Sequence, residues 1–375
     1  MKRWLINVWL LGAKELRSVM KDTTLLVLIV FAFTAAVLIV SKGVKAEVSN
    51  ATVALIDDDH SELSRRLADA IRPPYFQTPV AISRADVAGS MDQGRTIFVI
   101  EIPPRFQADV LAGRSPSVQI LVDATAMTQA GLGASYFQQI FATEVLDFLH
   151  QNGIIASLPF SVTSQTLYNP NSQSAWYTAV MQIVTNVTVL SIILVGAAVI
   201  REREHGTIEH LLVMPVRASE IAFAKILANG LIILVVAMAS LWFVVHGALG
   251  VPLAGSLLLF AGAMMLYLFS VTALGMWMAT MAPSMPQFGL FAVPVYAIAY
   301  LLSGAATPLQ SMPVPVQTIA RLLPTTRFVS LSQAVLYRGA GLHTVLPELV
   351  MICGWGTAFV ILAVQRFRTM LARQG

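Results

Sequence analysis

Eight acidic or basic side chains crowd into residues 201–225, REREHGTIEHLLVMPVRASEIAFAK, between two long runs that carry none. Residues 148–200 contain no Asp, Glu, Lys or Arg, and after Lys225 the next is Arg321. A charge at the centre of a bilayer costs about 2.5–3.5 kcal/mol on insertion scales, so runs this long and apolar belong in lipid. The island between them belongs at a surface. Composition agrees, because a chain that is 56% hydrophobic and 12% charged lies outside the range of soluble globular domains.

Charge-free windows of spanning length occur at Thr23–Ser41, Tyr177–Ile200, Ile226–Val245, Gly255–Met281 and Pro286–Ser303. A sixth, Leu349–Gln365, is short enough to need a few residues from before Glu348. Six spans place the N-terminal segment, the island and the C-terminal tail on one side. That side carries twelve basic residues, among them Lys2, Arg3, Arg201, Arg203, Arg366 and Arg368, against six acidic ones. By the positive-inside rule it is the cytoplasm, so both termini are expected there. The expected divisions are a cytoplasmic amphipathic segment 1–22, a first span 23–41, an extracytoplasmic domain 42–175, a five-helix membrane domain 176–365 and a cytoplasmic tail 366–375. Residues 4–16, with Trp4 and Trp9, suit an approach along the membrane interface. The first apolar run is too long for a cleaved signal peptide and reads as an uncleaved anchor. The lone Cys353 excludes a disulfide framework and a cysteine metal site.

Within the island, Ile208, Leu211 and Leu212 fall at i, i+3 and i+4, Thr207 can cap the start after Gly206, and Pro215 ends the pattern. This predicts a surface helix of roughly two turns. Ser219 is then expected to cap the next helix, with Glu220 in its first turn. An amphipathic helix held on anionic lipid by Arg201, Arg203 and Arg217 would fit these residues equally well. A metal site would not, because His205 and His210 stand five apart, roughly 140° around a helix axis. The string also resembles the first cytoplasmic loop of the permease subunits of type-2 ABC exporters, E-x-x-x-G-T-x-E-x-L-L-x-x-P. Glu202, Gly206, Thr207, Glu209, Leu211, Leu212 and Pro215 match it. The resemblance implies that the loop, within 201–222, is the coupling helix that seats in an ATPase subunit.

Between Lys42 and about Ala175 the chain has ordinary soluble character, with thirteen acidic and nine basic residues. Thr52–Asp57, Thr96–Ile102 and Ser117–Asp123 read as strands; Ser61–Ile71, Pro104–Ala112 and Gln129–Asn152 read as helices. Alternation predicts a small α/β sheet, and the order resembles the extracytoplasmic insertion of the drug-export branch of the family. Asp59 with Glu62 reads as a capping box, which accounts for the triplet Asp57-Asp58-Asp59 without a cation. Tyr168-Asn169-Pro170-Asn171 reads as a turn entering the second span.

After the fifth span, prolines cut the helix and Arg321, Arg327 and Arg338 keep residues 304–340 out of the lipid core. Ser303, Gly304, Pro308, Met312, Pro313 and Pro324 resemble the family's S-G-x-x-x-P…M-P…L-P-x-T signature. In that family short helices dip back from the outer face, so these residues are expected to form a re-entrant gate over the path; a plain surface loop is the other reading. No phosphate-binding loop occurs, and between Ile226 and Ala320 the only acid, base or imidazole is His246. Energy must therefore come from a partner.

The expected fold is an α-helical integral membrane protein with six spans and an inserted extracytoplasmic α/β domain. The expected function is that of an exporter permease in the bacterial inner or plasma membrane, with a hydrophobic or amphipathic cargo and no enzyme activity of its own. The implied partners are ABC ATPase subunits that carry the ATP and magnesium, a second permease subunit, identical or not, and the lipid bilayer. A periplasmic adaptor is a further candidate; nucleic acid is not. The competing reading is a non-transporting receptor or scaffold whose outer domain binds a ligand.

Overall fold

The computed structural model of the chain describes residues 2–43, 48, 50–92, 95–123, 127–153, 173–204, 206, 216–307, 309 and 312–372, without the side chains of 88, 92 and 127–131. Among these, six helical segments are long and apolar enough to cross a membrane: Thr23–Gly43, Ser174–Glu204, Ala218–Ala248, Leu257–Ala279, Met285–Leu302 and Leu342–Ala372. The last takes its extra length from residues before Glu348 and from the basic tail. The chain divides into two units, Met1–Gly43 with Ala175–Gly375, and Val44–Ser174.

The first unit opens with α1 (Lys2–Lys21), which is amphipathic on two sides. One face buries Val8, Glu15 and Val19, and Trp4 stands edge-on to Phe223 at 5.2 Å. The opposite face exposes Leu5, Ile6, Trp9 and Leu10. The two tryptophans therefore part company: Trp9 is free to meet lipid, whereas Trp4 packs on protein. Asp22 caps α2 (Thr23–Phe33) by accepting from the Leu25 amide at 3.1 Å. That bond and the Arg201 guanidinium hold its carboxyl below the usual carboxylate range. The span resumes as α3 (Ala35–Gly43) after a break at Thr34.

The remaining spans are α8 (Ser174–Glu204), α9 (Ala218–Ser240) continued by a π-helix over Leu241–Ala248, α10 (Leu257–Ala279), α11 (Met285–Leu302) and α14 (Leu342–Ala372). Small residues let them approach. A Cβ on Gly275 of α10 would stand 2.8 Å from Val195 Cγ1 and 2.9 Å from Ile192 Cα of α8. Such close backbone approach is how helices gain packing energy where lipid supplies no hydrophobic drive. Phe33, Val195, Tyr267 and Phe328 are fully enclosed in this core.

The second unit is a four-stranded sheet in the order β2-β1-β3-β4, from β1 (Val53–Asp57), β2 (Val80–Ala81), β3 (Phe98–Ile102) and β4 (Gln119–Val122). β1 runs parallel to β2 and β3, and β4 antiparallel to β3. Around it lie α4 (Glu62–Ala70), α5 (Val87–Asp92), α6 (Phe106–Leu111) and α7 (Met127–Gln151). Phe76, Phe98 and Phe137 form its aromatic centre, with Phe76 and Phe137 stacked at 4.1 Å. Each strand and helix expected from the sequence is present within one or two residues at either end, while β2, the 3₁₀ turn Arg84–Asp86 and α5 were not foreseen.

Two caps differ from expectation. The capping box of α4 joins Ser61 and Ser64, because a turn with His60 at φ 51° starts the helix later than the Asp59–Glu62 spacing requires. Asp59 instead caps α6, accepting from the Gln107 amide at 3.0 Å. Burial opposes its ionisation, but hydrogen bonds from Ser61 and from the amides of Gln107, Phe106 and Arg105 outweigh that and hold the carboxyl below its usual range. Asp57 accepts from the Ser64 hydroxyl at 2.7 Å, and Asp58 pairs with Arg84 at 2.9 Å. At α9 the cap position falls to Arg217, whose amide donates to Glu220 at 2.8 Å, while Ser219 lies inside the helix and accepts from Trp4 Nε1.

Candidate functional site

The two arms of the charged island are pinned before the loop between them begins. Arg201 pairs with Asp22 at 2.7 Å, Glu204 accepts from the Met285 amide at 3.2 Å, and Arg203 donates to the Ala282 carbonyl. Deeper in, Lys225 Nζ lies 2.9 Å from Glu15 Oε1 and 2.9 Å from Glu202 Oε2, and Glu202 Oε1 is 3.4 Å from Lys14. The Lys225 side chain is 1% exposed, against 10% for Glu15 and 14% for Glu202. One ammonium thus joins α1, the end of α8 and the start of α9. The sequence suggested a surface cation at 225 and a loop residue at 202; Lys225 is interior, Glu202 lies half-buried at the end of α8, and Glu15 is the partner that spacing could not reveal.

Gly206 has φ +68°, and a Cβ placed there would meet nothing within 4 Å among the described residues. The position therefore favours glycine for backbone conformation, not for space. Thr207, Ile208, Glu209, Leu211, Leu212 and Pro215 lie outside the described residues, as do His205 and His210.

The re-entrant candidates divide similarly. Ser303 Oγ donates to Tyr300 O at 2.6 Å and accepts from the Ala305 amide at 3.1 Å, folding the end of α11 into a turn completed by Gly304 at φ +84°. Pro308 lies outside the described residues. Met312 O accepts from Gln317 Nε2 at 2.9 Å, Pro313 precedes α12 (Val314–Leu322), and Pro324 opens α13 (Pro324–Leu336). Prolines at helix starts cost no intrahelical bond, which explains why this segment becomes two short helices. α13 is largely buried, with Phe328 stacked on Tyr267 at 4.1 Å, whereas α12 exposes Val314, Ile319 and Leu322. Carbonyls left open at the end of α11 find partners: Thr326 donates to Leu302 O at 3.0 Å and Thr325 to Ala299 O at 3.4 Å. Tyr177, which the sequence did not single out, ties the turn to α8 by donating to Ala305 O at 3.0 Å. Gln333 donates to the same hydroxyl at 3.3 Å.

Six apolar spans, two pinned arms of a polar island between the second and third of them, and a proline-cut pair of short helices before the last span are consistent with a membrane transport subunit. The family model for ABC-2 family transporter proteins matches residues 23–364, and the chain belongs to that family. It is a multi-pass membrane permease of an ABC transporter, a class that works with an ABC ATPase subunit. Among its relatives, the "Inner membrane transport permease YhhJ" of Escherichia coli is 45% identical over 366 residues, 98% of each chain. The "Probable multidrug ABC transporter permease YbhR" of the same organism is 26% identical over 369 residues, 94% of this chain and 96% of that one. The "ABC transporter G family member 20" of Dictyostelium discoideum is 24% identical over 217 residues, 57% of this chain and 30% of that protein.

Proposed function

We propose that the chain is an exporter permease whose loop 201–222 receives a separate ATPase subunit and whose segment 304–340 roofs the path for a hydrophobic or amphipathic cargo. The observation that carries this reading is the pinned loop: both arms are locked to α1 and to each other through Lys225, so a push on the loop is delivered to two spans at once. Drug-like cargo is supported by the relatives named as probable multidrug permeases. A path needs two such chains, identical or not. The asymmetry of the basic residues supports a position for the α/β unit outside the cytoplasm, where a periplasmic adaptor could reach it.

The purified chain should hydrolyse no ATP, because it holds no phosphate loop, and hydrolysis should appear on adding the ATPase subunit. Turnover by a chain stripped of every co-purifying ATPase would end the proposal. Orientation is tested separately by cysteine labelling in intact cells, in a Cys353→Ser background. His60→Cys, at an exposed turn of the α/β unit, should react with an impermeant reagent, and Arg217→Cys should be protected. The opposite pattern would reverse the topology.

A further inference from the structure

We infer that the first span contains an open joint, held by Asn186 and Ser240, that lets its two halves turn separately; the inference rests on the permease reading. The span breaks between α2 and α3 at Thr34, where φ is −123° and ψ −81°. Neither proline nor glycine stands there, so the break needs another cause, such as side chains inserted into the hydrogen-bond ladder. Four consecutive carbonyls at the end of α2 show it. Val30 O accepts from the Thr34 hydroxyl at 2.5 Å and Phe31 O from the Thr34 amide at 3.4 Å. Ala32 O accepts from Asn186 Nδ2 of α8 at 2.5 Å, and Phe33 O from the Ser240 hydroxyl of α9.

In lipid an unsatisfied backbone group costs several kcal/mol, so a span can stay broken only where other groups take up its carbonyls. Asn186 and Ser240 are built for that task. They are 9% and 4% exposed, and Gln182 donates to Asn186 Oδ1 at 2.9 Å, which turns the Asn186 amide nitrogen towards Ala32. Ser240 is also the last α-helical residue of its span, and the chain runs on as π-helix over Leu241–Ala248. π-Helical segments are rare and gather at functional positions. Two spans thus lose α-helical regularity where they touch.

The joint separates two mechanical attachments. The half Thr23–Phe33 starts at Asp22, which is paired with Arg201 on an arm of the charged island. The half Ala35–Gly43 leads directly into the α/β unit, which begins at Val44. A rigid span would force both ends to move together, whereas a jointed one transmits or absorbs motion according to whether the bonds from Asn186 and Ser240 are made. Both are positioning residues; neither needs to touch cargo.

Amide hydrogen exchange on the full chain in lipid nanodiscs tests the joint without any partner. In the double variant Asn186→Leu, Ser240→Ala, Phe33 O should return to its helical partner, the Val37 amide, whose exchange should slow at least tenfold. Unchanged or faster exchange would overturn the joint, and Ser240→Ala alone, which should give part of the slowing, covers misfolding of the double variant. Motion is read in the complex with its ATPase subunit by pulsed spin-label distances, comparing nucleotide-free and vanadate-trapped states. Labels at Ile39 and Val27, exposed on the two halves, are each measured against Ile361, exposed on α14. The two distances should shift by different amounts, and the double variant should abolish the difference. Labels that move together, or neither moving, would make the break a static kink and overturn the inference. A chain that binds no ATPase would instead sink the permease reading, and the exchange result would still decide the joint.

Discussion

Leu212→Asp is expected to lower ATP hydrolysis by the assembled transporter at least tenfold and to lower export with it, while the permease still inserts and folds. The argument compares costs. If Leu212 packs into the ATPase subunit, its replacement buries an unpaired carboxylate in an interface, at several kcal/mol, and each 1.4 kcal/mol is a factor of ten in association. Glu209→Lys should cost less, because exposed ion pairs are worth about 1 kcal/mol or below. Gly206→Val should fall between them. A β-branched residue at φ +68° is strained by about 1–3 kcal/mol, a cost that falls on the turn itself. Co-purification of the ATPase subunit and its hydrolysis rate, measured across the three variants, give the ranking. A loop that merely rests on anionic lipid makes a different forecast: Glu209→Lys would strengthen attachment and leave ATPase recruitment untouched. Wild-type recruitment and turnover in both Glu209→Lys and Leu212→Asp would remove the coupling role.

What the sequence made legible follows from the range of the physics involved. The six spans were readable because lipid penalises each charge independently, so a missing charge is a local signal that needs no knowledge of the fold. The prolines at 313 and 324 were readable because a ring without an amide hydrogen fits a helix start, although Pro294 and Pro347 stand inside α11 and α14 without ending them. Partnerships across the fold were not. Lys225 and Glu15 are 210 residues apart, and Tyr177 meets Ala305 across 128. No periodicity links such pairs, and a lysine at the mouth of a span looks like a surface cation until two carboxylates are seen beside it. The capping of α4 failed on a smaller scale. Asp57, Asp58 and Asp59 are all chemically able to cap, and only the turn at His60 decides that Ser61 does so. The break at Thr34 was invisible in principle, because the residues that open it, Asn186 and Ser240, belong to other helices.

Lys225→Met should destabilise the folded chain by about 3–5 kcal/mol, the cost of removing one partner from a buried ion pair. Glu15 and Glu202 would then face each other, each largely shielded from water, with the exposed Lys14 3.4 Å from Glu202. The triple variant Lys225→Met, Glu15→Gln, Glu202→Gln removes the same attraction but leaves no buried charge, and neutral replacements of buried ion clusters are often close to neutral in stability. It should therefore unfold near the wild-type midpoint. Lys14→Ala, at a side chain 57% exposed, should change little. Thermal unfolding in nanodiscs orders the four proteins. If Lys225→Met were as stable as the wild type, the cluster would have to admit water, and the pinning of the island's two arms would lose its physical basis. If instead the triple variant is stable but binds the ATPase subunit without stimulating its turnover, the charges themselves carry the push from the loop into α1, because nothing else about the fold has changed.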